Sequence, residues 1–451
     1  MNSIEQIQCQ LPLIHVSEPL CVIIASMRPL RSSKIVMIFS AVAFALLAGL
    51  VLDLHFHGLA WQFLYNTTGE ETPAGQINGF IQYLGNFTRR QPIIDGPEQL
   101  NNRVNPLYRG VNTSLEQEVE ESKRERQLQM ISDAGFGWIR QQFPWADIEI
   151  QGRGNFIDNR NNPPIDAWKK YDNIVDLAQK YHVQIIARLG VPPKWSEPVD
   201  AQDNHAPPAD VQDFVNYAST LATRFKGRIH IYQIWNEPNI YPEWGNQAVS
   251  PESYTDLLCR TYTALKAVDS TNLIISGTLA QTVELSNANL NDLVFLQRMY
   301  DAHAGQCFDI LGAQGYGLFS GPTDQRMRPT TINYAHLLWL RDMMIANNDE
   351  AKPIWIGEMA WNPVPDAKAV PDMIDRMKYG QVTDEQAARY AVEAYQRAQN
   401  EWPFVGVISY WFFKNADEHE KNQSQYYFRM VDPDFTPRPV YYALKNYAPQ
   451  R

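Results

Sequence analysis

Residues 232–239 read Tyr-Gln-Ile-Trp-Asn-Glu-Pro-Asn, a short aromatic and β-branched run that ends at Glu237. Residues 353–359 read Pro-Ile-Trp-Ile-Gly-Glu-Met and end in the same way at Glu358. Runs of this length and composition are typical of buried strands. Each glutamate is therefore predicted at the C-terminal end of a buried strand.

The sequence around these two runs contains further short apolar runs of the same kind. From Leu107 onward, short apolar runs alternate with amphipathic stretches, which is typical of repeated βα units around a parallel sheet. Eight strands are predicted, over residues 108–112, 138–143, 184–189, 229–236, 273–277, 310–314, 353–357 and 405–411. Eight units favour a (β/α)8 TIM barrel. The alternative is an open doubly wound sheet, but no strand is followed by a Gly-rich phosphate turn.

Two of the helices between the strands have N-terminal capping signals in the sequence. Ser250 precedes Pro251, which predicts an N-cap followed by proline at the first helical position. Thr383 stands three residues before Gln386, the spacing of a capping box. Both signals place helix starts inside the predicted βα units.

Residues 35–52 form an apolar run without charge or proline, preceded by Arg28, Arg31 and Lys34. At helical rise this run is long enough to cross a bilayer. The positive flank predicts residues 1–34 in the cytoplasm and the rest of the chain outside, as a single-pass protein of the cell membrane. The alternative is a cleaved signal peptide and a secreted protein, although the run exceeds a usual signal core and no small-residue cleavage site follows.

The remaining boundaries follow from composition. Residues 53–106 lack sustained periodicity and are predicted to be a stalk and lead-in, and residues 107–451 the barrel domain. Met27 also begins a basic and then apolar signal, so the chain starts at Met1 with an extension or at Met27 itself. Nothing in the sequence indicates an oligomeric state.

Charge and cysteine content exclude several classes of function. Lys and Arg number 39 against 50 Asp and Glu, and the net charge of −11 disfavours nucleic acid as a partner. The four cysteines, Cys9, Cys21, Cys259 and Cys307, show neither C-x-x-C nor metal-ligand spacing, so no metal and no cofactor are implied. Cys259 and Cys307 lie in adjacent predicted units and are either a disulfide or buried free thiols.

The two glutamates indicate a chemistry. Catalytic groups of a (β/α)8 barrel lie at the C-terminal ends of its strands, where the loops converge. Glu237 ends the fourth predicted strand and Glu358 the seventh, so the two should face each other across the mouth. Cleavage of a glycosidic bond needs such a pair, one carboxyl to protonate the leaving oxygen and one to attack the anomeric carbon.

At these residues the chain resembles the clan A glycoside hydrolases, and most closely family 39 and its relatives near family 5. The resemblance covers residues 107–448 and implies a retaining (β/α)8 enzyme, with Glu237 as acid/base and Glu358 as nucleophile. Gln314 departs from the pattern, because relatives commonly carry histidine there. The departure leaves the identity of the sugar open.

Further side chains are predicted to bind the substrate or the nucleophile. Arg140 at the end of the second strand and Tyr316 after the sixth are expected to donate hydrogen bonds to Glu358. Asn236 is placed to bind the sugar 2-hydroxyl.

Aromatic side chains are predicted to contact the sugar rings. Trp411 is expected to form the floor under the reacting sugar, and Trp145 to stack on a further sugar unit. Trp195, Trp244 and Trp361 are weaker candidates of the same kind. A catalytically silent glycan-binding barrel at the cell surface is the alternative function, but only an enzyme requires both glutamates together with the arginine and tyrosine.

Overall fold

The computed structural model describes residues 32–96, 109–201 and 205–447, with side chains from residue 37 onward. The chain divides into two compact units, Met1–Ala60 and Trp61–Arg451. In the first unit, helix α1 spans Ser32–His55. Its portion Met37–His55 has a mean hydropathy of 2.3 and is long and apolar enough to cross a membrane. The expectations for residues 1–31, including Cys9, Cys21 and a start at Met27, lie outside the described residues.

Eight parallel strands form the centre of the second unit. They are β1 Arg109–Thr113, β2 Trp138–Pro144, β3 Gln184–Gly190, β4 Ile231–Ile234, β5 Leu273–Ile275, β6 Leu311–Gln314, β7 Ile354–Met359 and β8 Val405–Tyr410. Hydrogen bonding runs in the order β5-β4-β3-β2-β1-β8-β7-β6. Parallel bridges from Ile275 to Ile310 and from Leu279 to Ala313 close the ring. The predicted TIM barrel is confirmed, with each strand boundary within two residues of its predicted position.

Helices follow the strands and cover the barrel. After α1 they are α2 Leu59–Thr68, α3 Pro73–Leu84, α4 Glu121–Asp133, α5 Trp145–Ile148, α6 Lys169–Lys180, α7 Val211–Arg224, α8 Pro251–Val268, α9 Asp292–Asp301, α10 Leu337–Ala346, α11 Asp384–Glu401 and α12 Pro439–Asn446. Both predicted helix starts are confirmed. Ser250 accepts from the Ser253 amide, and Thr383 and Gln386 form the reciprocal capping box.

Inward-facing side chains fill the barrel in layers. One layer is apolar and consists of Trp138, Ile186, Ile231, Ile275, Ile310, Trp355 and Val407. Because side chains alternate along a strand, the residue two positions further along faces inward again. On β2 and β3 these residues are Arg140 and Arg188, one step nearer the C-terminal mouth. The apolar layer is therefore the base on which the charged site rests.

The stalk predicted over residues 53–106 is wrong for much of its length. Residues 61–96, the lead-in segment, belong to the same compact unit as the barrel and contain most of α2 and all of α3. Arg90 makes two hydrogen bonds to Asp342, at 2.6 and 2.7 Å. The Gly321 amide donates to the Gly69 carbonyl at 2.7 Å. These bonds attach the segment to the barrel. Contacts between residues so far apart in the chain cannot be predicted from the hydrophobic pattern of the segment alone.

Cys259 and Cys307 form a disulfide with a Cα–Cα distance of 4.7 Å. It joins α8 to the short 3-10 turn Ala304–Gln306 that follows α9. Of the two states that the sequence left open, the structure shows the crosslinked one. Such crosslinks are characteristic of proteins that fold outside the reducing cytosol.

Candidate active site

Glu358 lies near the end of β7 and is 5% exposed. Both of its carboxylate oxygens accept hydrogen bonds. Arg140 Nη1 donates to Oε1 at 2.8 Å, and the Tyr316 hydroxyl donates to Oε2 at 2.8 Å. The structure thus brings together the three side chains that the sequence grouped. One cation and one hydroxyl therefore each hold one oxygen of this carboxyl group in place.

Arg140 is buried and its guanidinium is held on three sides. Nε donates to Gln233 Oε1 at 2.7 Å, Nη1 to Asn112 Oδ1 at 2.7 Å and Nη2 to Asn236 Oδ1 at 2.6 Å. A planar group with fixed donors cannot rotate freely, so its position relative to Glu358 is set by β1, β2 and β4 together. Asn236 is held by the same network. Its role toward a sugar hydroxyl stays a prediction.

The chain leaves β4 through an unusual backbone. Trp235 has φ of 70° and Glu237 has φ of 28°, values that side-chain-bearing residues rarely adopt. The regular strand consequently ends at Ile234 rather than at the predicted residue 236. The Glu237 amide donates to the Thr278 carbonyl at 3.1 Å, which ties the turn to the neighbouring strand end. Strained backbone that surrounding contacts hold in place is frequent at functional sites.

The Glu237 carboxyl has surroundings very different from those of Glu358. Burial, followed by the like charges of Glu358 and Glu243, raises the pKa of Glu237 to about 8. Gln314 Nε2 donates to Oε1 at 2.6 Å and acts in the opposite direction on the pKa, as Arg140 does. The carboxyl therefore holds a proton at neutral pH. Gln314, the departure from the family pattern noted in the sequence, thus contacts the predicted acid directly.

Arg188 on β3 is a member of the site that the sequence interpretation missed. Its Nη1 lies 4.0 Å from Glu358 Oε1, and its Nη2 donates to Gln142 Oε1. Arg188, Gln142 and Asn236 line a cavity at the ends of β2, β3 and β4, together with Glu243. The available signal was the strand alternation, because Arg188 stands on β3 as Arg140 stands on β2, two residues after an inward apolar side chain.

The two predicted sugar-binding tryptophans, Trp411 and Trp145, lie in different environments. Trp411 follows β8 directly, is half-buried, and donates its backbone amide to the Met359 carbonyl at 3.1 Å, beside Glu358. This position is compatible with the predicted sugar floor. The prediction that Trp145 contacts substrate is wrong, because its ring is fully buried and stacks on Tyr217 with centroids 5.4 Å apart. Its indole donates to Glu149 at 2.6 Å, so it is a core residue.

The weaker tryptophan candidates are also mostly interior. Trp244 and Trp361 are 2% and 1% exposed, too little to stack on a sugar. Trp195 is half-buried and donates to the Glu149 carbonyl at 2.7 Å. Within the described residues, no three His, Cys, Asp or Glu side chains are grouped to hold a metal ion.

The chain was compared with protein families and with curated proteins. The family model for Cellulase (glycosyl hydrolase family 5) matches residues 100–378, more than half of the chain. None of the curated proteins matches.

Several solved structures share the fold. A family 39 glycoside hydrolase from Bacteroides cellulosilyticus WH2 has a TM-score of 0.55 at 17% identity, over 78% of this chain and 64% of that one. GH5_18 from Streptomyces cattleya in complex with GlcNAc has a TM-score of 0.54 at 16% identity, over 76% and 79%. A monomeric beta-xylosidase from Caulobacter crescentus CB15 has 0.52 at 18%, over 79% and 69%. The chain thus spans less than two thirds of the Bacteroides protein, and identities this low support the fold alone.

Proposed function

The chain belongs to glycosyl hydrolase family 5, and from this membership we propose that it is a retaining O-glycoside hydrolase that cleaves β-linked glycosides or polysaccharide by double displacement. One observation carries the proposal. Two carboxyl groups at one barrel mouth have opposed surroundings, since Glu358 accepts hydrogen bonds on both oxygens from Arg140 and Tyr316, whereas the pKa of Glu237 is raised. Carboxyl groups in such different surroundings can take the separate roles of acid and nucleophile.

In the first step, Glu358 attacks the anomeric carbon as a carboxylate and forms a glycosyl ester. The bond from that carbon to the glycosidic oxygen breaks, and Glu237 gives its proton to the departing oxygen. Asn236, oriented by Arg140, is placed to bind the 2-hydroxyl as positive charge develops on the ring. Trp411 supports the ring face.

In the second step, Glu237 is a carboxylate and takes a proton from water. The resulting hydroxide-like oxygen attacks the anomeric carbon, the ester bond to Glu358 breaks, and the product keeps the configuration of the substrate. Glu237 is then protonated again and Glu358 ionised, so the site returns to its starting state. Two inversions at one carbon give net retention.

We place this activity outside the cytoplasm, with residues 35–52 as a single membrane anchor. The apolar helix Met37–His55 supports the anchor, and the disulfide between Cys259 and Cys307 supports an oxidising compartment. In the proposed organisation, residues 1–34 are cytoplasmic, the lead-in segment is external and the barrel is the catalytic domain. A secreted protein is the alternative.

The covalent intermediate provides the decisive test. An activated aryl 2-deoxy-2-fluoro-β-glycoside should glycosylate the protein with one sugar per chain, because the fluorine slows both steps while the activated leaving group keeps formation of the glycosyl ester faster than its hydrolysis. Peptide mass spectrometry should place the sugar on Glu358. Proton NMR of early products from an unmodified β-glycoside should show the β-anomer first.

Two results would contradict the proposal. An α-anomer as first product would indicate inversion, with water rather than Glu358 as nucleophile. Binding of glycans without turnover, across a panel of aryl β-glycosides and β-linked polysaccharides, would identify the silent glycan-binding barrel instead.

A further inference from the structure

Helix α3 exposes an apolar stripe. Ile77, Ile81 and Leu84 are 52%, 63% and 48% exposed, and Phe87 in the following turn is 76% exposed. Their spacing of four, three and three residues places them along one side of the helix. A contiguous exposed apolar surface of this kind marks a contact with a partner or a membrane.

Helix α3 and the turn after it carry no charged side chain of their own, and Arg89 and Arg90 follow that turn. Residues 73–88 contain no Asp, Glu, Lys, Arg or His, although one in five residues of the whole chain is charged. The polar side chains in this stretch are amides, hydroxyls and Tyr83. A surface built this way has little electrostatic attraction for a charged partner, and it suits the interfacial layer of a bilayer, where aromatic and neutral polar groups are favoured.

The opposite side of α3 is already packed. Gly79 lies so close to α2 that an added Cβ would come within 2.9 Å of the Thr68 side chain. Gln76 is buried and donates to the Trp61 carbonyl at 3.2 Å. Since these contacts fix the helix, the stripe cannot turn inward to bury itself.

The chain length from α1 limits where α3 can lie. Seventeen residues separate His55 from Pro73, and ten of them form α2. With α2 helical and the rest fully extended, the connection spans about 40 Å at most. If α1 crosses a bilayer, the start of α3 therefore lies no more than about 40 Å from the end of α1, which leaves the bilayer surface within its reach.

We propose that the apolar stripe of α3 lies in the interfacial layer of the bilayer that α1 spans, on the barrel side, and is held there by apolar burial rather than by charge. This proposal rests on the proposed anchor. The occupant is zwitterionic lipid, because the stretch is uncharged and the protein has a net charge of −11.

The same segment contacts the loop that carries Tyr316. The Gly321 amide donates to the Gly69 carbonyl at 2.7 Å, and the Gln325 amide donates to the Thr67 carbonyl at 3.0 Å. The lead-in segment therefore gives the barrel a second attachment to the membrane besides the anchor. The consequence is a fixed orientation of the barrel above the bilayer, which a flexible stalk would not provide.

The test uses the full chain reconstituted in phosphatidylcholine vesicles. Single reactive cysteines are introduced by Ile81→Cys, Phe87→Cys, Val119→Cys or Leu46→Cys, with Cys9→Ser and Cys21→Ser, and labelled with an environment-sensitive fluorophore. Val119 is 92% exposed on the barrel and serves as the matched surface control, and Leu46 lies within α1. The fluorescence of each label is then measured in vesicles whose lipids carry a quenching nitroxide at either a shallow or a deep position in the bilayer.

We expect shallow nitroxides to quench the labels at positions 81 and 87 at least about twofold more than the label at 119, and deep nitroxides to quench the label at 46. Replacing about a third of the lipid by phosphatidylglycerol should leave quenching at 81 and 87 unchanged. Quenching at 46 but not at 81 and 87 would overturn the interfacial helix and leave the anchor intact. Loss of quenching at 46 would overturn both.

Two further outcomes would also reject the proposal. Quenching at 81 and 87 that requires phosphatidylglycerol would show attraction to anionic headgroups instead of apolar burial. Labels at 81 and 87 that are shielded from both lipid nitroxides and aqueous iodide, with concentration-dependent crosslinking, would show that a second copy of the chain covers the stripe.

Discussion

Glu237 is protonated at neutral pH because burial and the like charges of Glu358 and Glu243 raise its pKa to about 8. The acid form is the one that can protonate a leaving group, so kcat/KM should fall as the pH rises through about 8. Glu237→Gln should remove this limb of the profile and lower kcat/KM about 10²- to 10⁴-fold, least for aryl groups that leave without protonation. An unchanged basic limb in this variant would show that another group is the acid.

Glu358→Gln should abolish turnover, by at least about 10³-fold in kcat, because the amide cannot form the glycosyl ester. Gln is nearly isosteric with Glu, so the far-UV circular dichroism spectrum should match that of the wild type. Glu385→Gln, at an exposed position in the first turn of α11, is the matched control and should keep full activity. Substantial activity in the Glu358 variant would remove this residue from the role of nucleophile.

Arg188 should act through its charge near Glu358 and through Gln142. Arg188→Met should lower kcat/KM about 10- to 100-fold, equivalent to about 1.4 to 2.8 kcal/mol, mostly in kcat if the charge supports the reacting carboxylate. Arg188→Lys should restore part of kcat. Arg260→Met, on the exposed side of α8, is the control for loss of a surface arginine. A change confined to KM would instead assign Arg188 to substrate binding.

At the residue scale, the sequence identified the groups that local motifs contain. Glu237, Asn236 and Glu358 stand in short runs whose ends could be recognised, and Arg140 ends a predicted strand. Arg188 and Gln314 were not assigned roles, because their contacts depend on the register between strands. Trp145 was misplaced for a related reason. Its position just after β2 indicated the mouth, but the chain turns there into α5 and buries the ring.

At the element scale, the barrel strands were predictable because they are short, largely buried on both faces and mostly rich in apolar and β-branched residues. The lead-in segment was not, because α2 and α3 owe their stability largely to contacts far away in sequence. Thr72 before Pro73 did carry an N-cap signal, and its hydroxyl accepts from the Gly75 amide. A cap alone does not show that a helix packs on the barrel.

The disulfide is the element-scale feature with a measurable effect on stability. Closing a loop of 48 residues restricts the unfolded chain, which corresponds to about 4 kcal/mol of unfolding free energy in the chain-entropy description. The double variant Cys259→Ala, Cys307→Ala should therefore unfold several degrees lower in calorimetry. Reductant should lower the unfolding temperature of the wild type and leave that of the variant unchanged. Equal sensitivity of both would show that the bond does not contribute.

At the scale of the whole molecule, an acidic barrel follows an apolar helix and a lead-in segment whose residues 73–88 carry no charge. Expressed in its native host, the intact chain should stay with membranes through carbonate and high salt, because burial of Met37–His55 is hydrophobic rather than ionic. Protease added outside intact cells should reach the barrel, whereas a tag at the N-terminus should be protected until the membrane is opened.

The folded lead-in segment adds a second expected result to the protease digestion. Because residues 61–96 are bonded to the barrel through Gly69 and Arg90, they should remain with it after digestion, and the released material should contain both when separated without denaturant. The competing outcome is equally specific. A soluble protein in the medium whose N-terminus begins near residue 53 would show that the apolar helix is a cleaved signal peptide. The secreted protein would then have no contact with the bilayer. In that case the stripe on α3 would face water or a second copy, and the two-point attachment of the barrel would be lost together with its fixed orientation.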